Sequence, residues 1–155
     1  MYITKNIFSM TTFLFPKPDS SKGHSMFLLA LRIFFGCMLI AHGLNKLANY
    51  TELSFTFIDP MGIGKELTLV MVIFSELCCS ISFVIGFLYR LCTIPMIIVM
   101  GGAFFYAHGG DIGNGELAFT YMVILVLMYI AGPGKYSVDA AIYNHIRNKE
   151  DSYDY

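Results

Sequence analysis

The segment "RIFFGCMLIAHGLNK", Arg32 to Lys46, decides the fold. It is apolar enough to cross a bilayer, yet it holds an arginine, a histidine and a lysine. Each isolated charge costs about 2.5–3.5 kcal/mol at the centre of a membrane helix. A segment that keeps such groups must turn them away from lipid. At about 100° per residue, Arg32, Gly36, Gly43 and Lys46 share one narrow stripe, with His42 about 80° to one side of Arg32. Glycine lets a neighbouring backbone come close. The stripe therefore faces protein, and its charges point into a helix bundle.

The rest of the chain supplies that bundle. Hydrophobic residues make up 56% of the 155 positions and the mean hydropathy is +0.63, well above a soluble domain of this length. Four apolar segments approach the ~20 residues a spanning helix needs: 26–47, 67–88, 91–107 and 117–131. The last two are short, which implies tilt or local thinning of the bilayer. The expected architecture is all-α, a bundle of four transmembrane helices, with tails at 1–25 and 135–155 around a membrane domain at 26–134. The formal net charge of −1 leaves no basic field for nucleic acid. Tryptophan is absent, so Tyr and Phe must form any interfacial belt.

The connections set direction. Lys5, Lys17, Lys22, Arg90, Lys135, Arg147 and Lys149 fall on one side of a four-span chain, against Lys65 and Lys46 on the other. By the positive-inside rule both termini of this multi-pass chain are expected in the cytoplasm. The N-terminal segment lacks the long apolar run and A-x-A site of a signal peptide; it reads either as a weak amphipathic surface segment or as a mobile tail. The polar C-terminal "YNHIRNKEDSYDY" reads as a mobile tail. In the long first connection, "LSFTFI" either lies on the membrane surface or covers the bundle mouth. "HGGDIGNG" reads as a flexible loop and "GPGKYS" as a sharp helix stop.

Two groups of polar residues stand out. Arg32 lies about 9 Å above the cytoplasmic end of its span, and Glu76 lies near the middle of the antiparallel second span. An Arg32–Glu76 pair is expected, serving either as a structural clamp or as a working site. Near the outer face, His42 and Lys46 meet the level of Tyr106, His108, Asp111 and Glu116. Two histidines from different helices at one depth suit a quinone carbonyl, a proton relay or a metal. No dense ligand pattern or Cys/His spacing marks a metal site. Cys37, Cys78, Cys79 and Cys92 form no C-x-x-C motif. Cys79 lies one turn from Glu76 with Cys37 at similar depth, but apolar burial makes thiols inert and favours a packing role.

The pattern R-x-x-x-G-x-x-x-x-x-H-G-x-x-K at Arg32, Gly36, His42, Gly43 and Lys46, then Glu76, Gly86 and Arg90, then "GPGKYSVDA" with Ser137 and Asp139, resembles the DoxX/DoxD-like family of small bacterial four-helix membrane proteins. The resemblance covers about 28–141. It implies a four-helix bundle, with DoxD-type relatives similar to the membrane subunit of a thiosulfate:quinone oxidoreductase and others associated with redox and thiol-stress systems. It marks Arg32, His42, Lys46 and Glu76 as the positions to watch. Cys79 and Ser80 stand where the family often has paired small residues, commonly glycines, and both are small enough to preserve close packing.

The leading expectation is a membrane subunit of an oxidoreductase that binds a quinone-like carrier among Arg32, His42, Lys46, Glu76 and His108, with Gly36, Gly43 and Gly86 as small packing residues. No motif names a catalytic residue or a bound cofactor, so a redox partner protein or the carrier itself must supply the electron chemistry. A non-enzymatic scaffold whose buried charges are structural is the alternative. A small transporter is the third reading, although no internal repeat supports it. Besides the lipid bilayer, a second copy is compatible with the small and aromatic residues on outer faces.

Overall fold

A computed structural model describes residues 21–60 and 62–153, with side chains through residue 147. Readings that concern residues 1–20 lie outside it. The chain forms α1 (Lys22–Ala48), α2 (Tyr50–Thr56), α3 (Lys65–Ile85), α4 (Tyr89–Ala107), α5 (Ile112–Ala131) and α6 (Val138–Tyr153). Four of them, α1, α3, α4 and α5, are long and apolar enough to cross a membrane. They pack as an antiparallel bundle, and no strand occurs among the described residues. The end holding Gly86 and Ser137 is here the proximal end; the end holding Ala48 and His108 is the distal end.

Helix ends differ from the sequence expectation where local capping overrides hydropathy. α5 begins at Ile112 rather than 117. The Asp111 carboxylate accepts from Gly113 N (3.1 Å) and Asn114 Nδ2 (2.7 Å), satisfying a helix start that the polar "IGNGE" conceals from a hydropathy count. The expected C-terminal tail is helical from Val138. Ser137 Oγ accepts from Ala140 N (3.1 Å) and donates to Gly134 O (2.9 Å), a serine cap that composition alone does not reveal. α3 stops at Gly86 (φ 74°), where the N–H groups of Gly86 and Phe87 both reach Ser82 O.

Glycine sets how α1 meets α3. A Cβ on Gly36 would strike Val84, and one on Gly43 would lie 2.8 Å from Leu77 Cγ and 3.0 Å from Glu76 Cβ. Moving up α1 from Arg32 to Gly36 to Gly43, the facing residues on α3 run from Gly86 to Val84 to Glu76 and Leu77. The two helices are thus locked in register by close backbone approach, the usual device where lipid removes the hydrophobic drive between helices. The proximal half of the core is closely packed: Leu39, Phe83, Met96, Leu125 and Met128 interlock around Tyr89, which stacks on Phe83 and donates to Met128 O (3.0 Å).

The connection before α3 is fastened by one carboxylate. Asp59 accepts from Gly64 N (2.7 Å), Ile63 N (3.1 Å) and Thr68 Oγ1 (3.3 Å). The hydrogen bond from Gly64, joined by those from Ile63, Thr68 and Gly62, holds its carboxyl below the usual range despite some desolvation. A depressed folded pKa means the stabilisation is complete above the unfolded value of about 3.9 and is lost as pH falls through the folded value. Asp59→Ala is therefore expected to lower the Tm at neutral pH, with the gap from wild type closing in acid. Thermal unfolding in detergent at pH 7 and pH 3 measures it; a gap that is constant with pH would remove Asp59 as the cap.

Candidate functional site

The structure separates the buried charges that the sequence placed together. Glu76 is 4% exposed and pairs with Lys46, whose Nζ donates to Oε1 at 2.8 Å and to Oε2 at 2.6 Å. Arg32 does not pair with Glu76. It lies level with Gly86, ten residues from Glu76 along α3, which is about 15 Å and beyond a side chain's reach. Its Nη2 donates to Tyr136 O, and Asp139 lies close enough to attract its charge. Asp139 in turn accepts from Leu88 N and Tyr89 N, both at 2.9 Å, and caps the start of α4. The expected Arg32–Glu76 pair is absent, and Arg32's partners are the connection after α5 and the start of α6. The depth error came from counting Arg32 from the start of its own helix, when the glycine contacts set the true register.

The Lys46–Glu76 pair sits in a different setting, between two cavities. A lateral groove of about 580 Å³ runs outside α3 and α4 beneath α2, with Leu53, Phe57, Met71, Ile98 and Phe105 among its walls. The "LSFTFI" stretch contributes Leu53, Thr56, Phe57 and Ile58 to the wall of this groove. A smaller chamber of about 180 Å³ lies inside the bundle at its distal end and takes residues from all four spanning helices: His42, Glu76, Met100, Ala118 and Tyr121 among them. Lys46, Glu76, Ala103 and His108 line both.

Helix irregularities shape this wall. Both Glu76 and Ala103 lie in π-helical turns, Ser75–Cys79 and Ala103–Ala107. Such single wide turns re-aim side chains and recur at functional sites. The second turn delivers His108 to the wall. Gly115 of α5 leaves helical geometry (φ −108°, ψ 19°) and sits where a Cβ would lie 2.9 Å from both His108 Cβ and Phe104 Cδ2. Small residues Gly101, Gly102 and Ala103 leave the groove its volume.

Of the residues expected near the outer face, His42, Lys46 and His108 converge on the chamber with the mid-span Glu76, and Tyr106 lines only the groove. Asp111 is engaged in capping α5, and Glu116 is exposed. Tyr121 was not foreseen. It is 3% exposed, meets His42 edge-on at 6.1 Å and Phe35 at 5.9 Å, and its hydroxyl has no partner among the described residues. A tyrosine at mid-span, away from either interface, was the available signal. Cys79 is buried and interacts with Cys92 of α4, while Cys37 is exposed, so the two expected at one depth do not form a pair. No group of three metal-ligating side chains occurs among the described residues.

Comparison with known proteins agrees with this architecture. The model of the DoxX family matches residues 27–109, a stretch from α1 through the distal end of α4 that includes Arg32, Lys46, Glu76 and His108. The chain belongs to the DoxX family. It is also 28% identical over 122 residues to an uncharacterized protein of Haemophilus influenzae, covering 73% of this chain and 88% of that one. No solved structure matches. Family membership and the four apolar helices make this DoxX protein an integral, multi-pass membrane protein in contact with the lipid bilayer.

Proposed function

We propose that this DoxX protein is the membrane component of a redox system and binds a quinone-like carrier, with the carrier's ring at the Lys46–Glu76 pair and its tail in the lateral groove. The observation that carries the reading is the groove itself. It is apolar along its length, within the 300–1,000 Å³ of small-molecule sites, and ends at an ion pair and a histidine. Its rim residues Met71, Ile98 and Phe105 are exposed apolar side chains of spanning helices, so a lipid-soluble molecule can enter sideways from the bilayer. Lys46 keeps a third N–H beyond the two given to Glu76 and can donate it to a carbonyl oxygen. His108 offers a second donor on the same wall. Electrons come from a partner protein, and the carrier relays them. In this reading the proximal end, with its lysines and arginines, faces the cytoplasm of a bacterium.

The scaffold reading of buried charges suits Arg32, which is fully enclosed and lines neither the groove nor the chamber. It suits Lys46–Glu76 less, because that pair lines two cavities.

Binding of a decyl-tailed benzoquinone to the detergent-purified protein tests the proposal. Glu76 holds the Lys46 donor in place and His108 is the second donor, so Glu76→Gln and His108→Ala are each expected to weaken binding by about tenfold. Gly102→Leu is expected to block the tail without disturbing the fold, because nothing lies within 4 Å of a Cβ there. Wild-type affinity in all three variants would defeat the reading.

A further inference from the structure

We infer that the small distal chamber is a water-filled vestibule, so that the Lys46–Glu76 pair has two entrances: one from lipid through the groove and one from water through the bundle. The inference rests on the reading above only for what occupies the groove.

Three observations carry it. First, the chamber is roomy and polar side chains reach it from all four spanning helices. Its 180 Å³ equals the share of about six waters, and its wall holds His42, Lys46, Glu76, His108 and Tyr121. Genuinely dry cavities are apolar. Second, Tyr121 Oη is a buried hydroxyl without a protein partner among the described residues. An unpartnered buried hydroxyl costs about 1–3 kcal/mol, which a water would remove. Third, the chamber's rim reaches the distal surface at His108, beside exposed Gly109, Gly110 and Asp111. That loop belongs in water, since irregular backbone does not face lipid. The groove, by contrast, opens among exposed Ile98 and Phe105.

The wall between the two spaces is thin and specific: Lys46, Glu76, Ala103 and His108 touch both. A carrier head in the groove therefore meets, across this wall, water continuous with the distal side. The ligand class of the vestibule is water and compact hydrophilic solutes of similar volume. It is too small for a nucleotide or a macrocycle. Protons on the carrier's head exchange with the distal aqueous phase and not with the proximal one, where the close-packed core around Phe83 and Tyr89 intervenes.

Thiol labelling tests this in membranes, in a background with Cys37, Cys78, Cys79 and Cys92 replaced by alanine. Ala118→Cys lies in the chamber wall and Gly102→Cys in the groove wall. Because the thiolate reacts and forms in water far more readily than in apolar surroundings, a charged methanethiosulfonate is expected to modify Ala118→Cys at least about tenfold faster. Equal rates, or labelling of Ala118→Cys by a lipid-soluble maleimide alone, would overturn the vestibule. The unaltered protein gives an independent readout. Hydroxyl radicals generated from water should oxidise Tyr121 and His42 and spare Tyr89, which is as buried as Tyr121 but enclosed in the proximal core. Tyr121 as protected as Tyr89 would also overturn it. A protein that fails to bind benzoquinone would still show this labelling pattern, and a dry chamber would leave benzoquinone binding through the groove intact, so the two readings fail separately.

Discussion

Gly86→Ala is expected to be the most damaging single methyl addition in the chain. The residue has φ 74°, in the left-handed region, which costs an L-residue about 1–2 kcal/mol. The larger effect is contact. The new Cβ would overlap Arg32 Nη1 and stand 2.6 Å from Ser137 Cβ. Arg32 has nowhere to retreat, because it is fully buried and already committed to Tyr136 O. Gly86 O also accepts from Asp139 N at 2.9 Å, and Asp139 caps α4 just beyond the left-handed Leu88 (φ 45°). One displacement therefore disturbs the end of α3, the start of α4 and the start of α6 together. Separating a buried charge from its partners costs about 3–5 kcal/mol, a large share of the 5–15 kcal/mol typical of a folded domain. Gly132→Ala is the control. It has φ 83° but nothing within 4 Å of a Cβ, so it carries backbone strain alone. In mild detergent the Tm should fall several times further for Gly86→Ala than for Gly132→Ala. Equal shifts would mean that the Arg32 lock contributes nothing beyond ordinary turn strain.

The spans were legible because hydropathy over twenty residues is a strong signal, and the glycine stripe on α1 correctly announced a helix interface. Register was less legible. Helical spacing places residues on a face, but the level at which two faces meet depends on which small residues admit the neighbouring backbone. That is why Arg32 was matched to Glu76 when Gly86 stands opposite it. Lys46 was seen as a distal residue and Glu76 as a mid-span one; a lysine stem is long enough to bring them together. The groove was hidden for another reason. It is built from α2, which looks like connection in the sequence, and from a π-helical turn at Ala103–Ala107 that no periodicity announces. Tyr121 is a third case, since a single aromatic in an apolar helix reads as packing until its hydroxyl is found without a partner.

The Lys46–Glu76 pair should separate folding from binding when its members are removed in turn. The two residues are not equivalent. Glu76 is 4% exposed, and Lys46 is 26% exposed. Lys46→Met strands a carboxylate that has no other cationic partner within hydrogen-bonding distance among the described residues, so it is expected to cost about 3–5 kcal/mol. Glu76→Gln leaves an ammonium that can turn toward the open side of the chamber, so its stability loss should be clearly smaller. Replacing both by methionine removes both charges and restores apolar volume, and such exchanges of a buried pair are often neutral or stabilising. The double variant is thus expected to melt near wild type while binding no benzoquinone. Thermal melts and ligand binding on the same four proteins decide it. A double variant as unstable as Lys46→Met would make the pair part of the fold's own support, like Arg32. A double variant that still binds benzoquinone would place the carrier's head elsewhere in the groove. The expected result, a folded bundle that has lost its ligand, would mean that this chain keeps one buried charge to hold its helices together and a second pair because something in the membrane binds there.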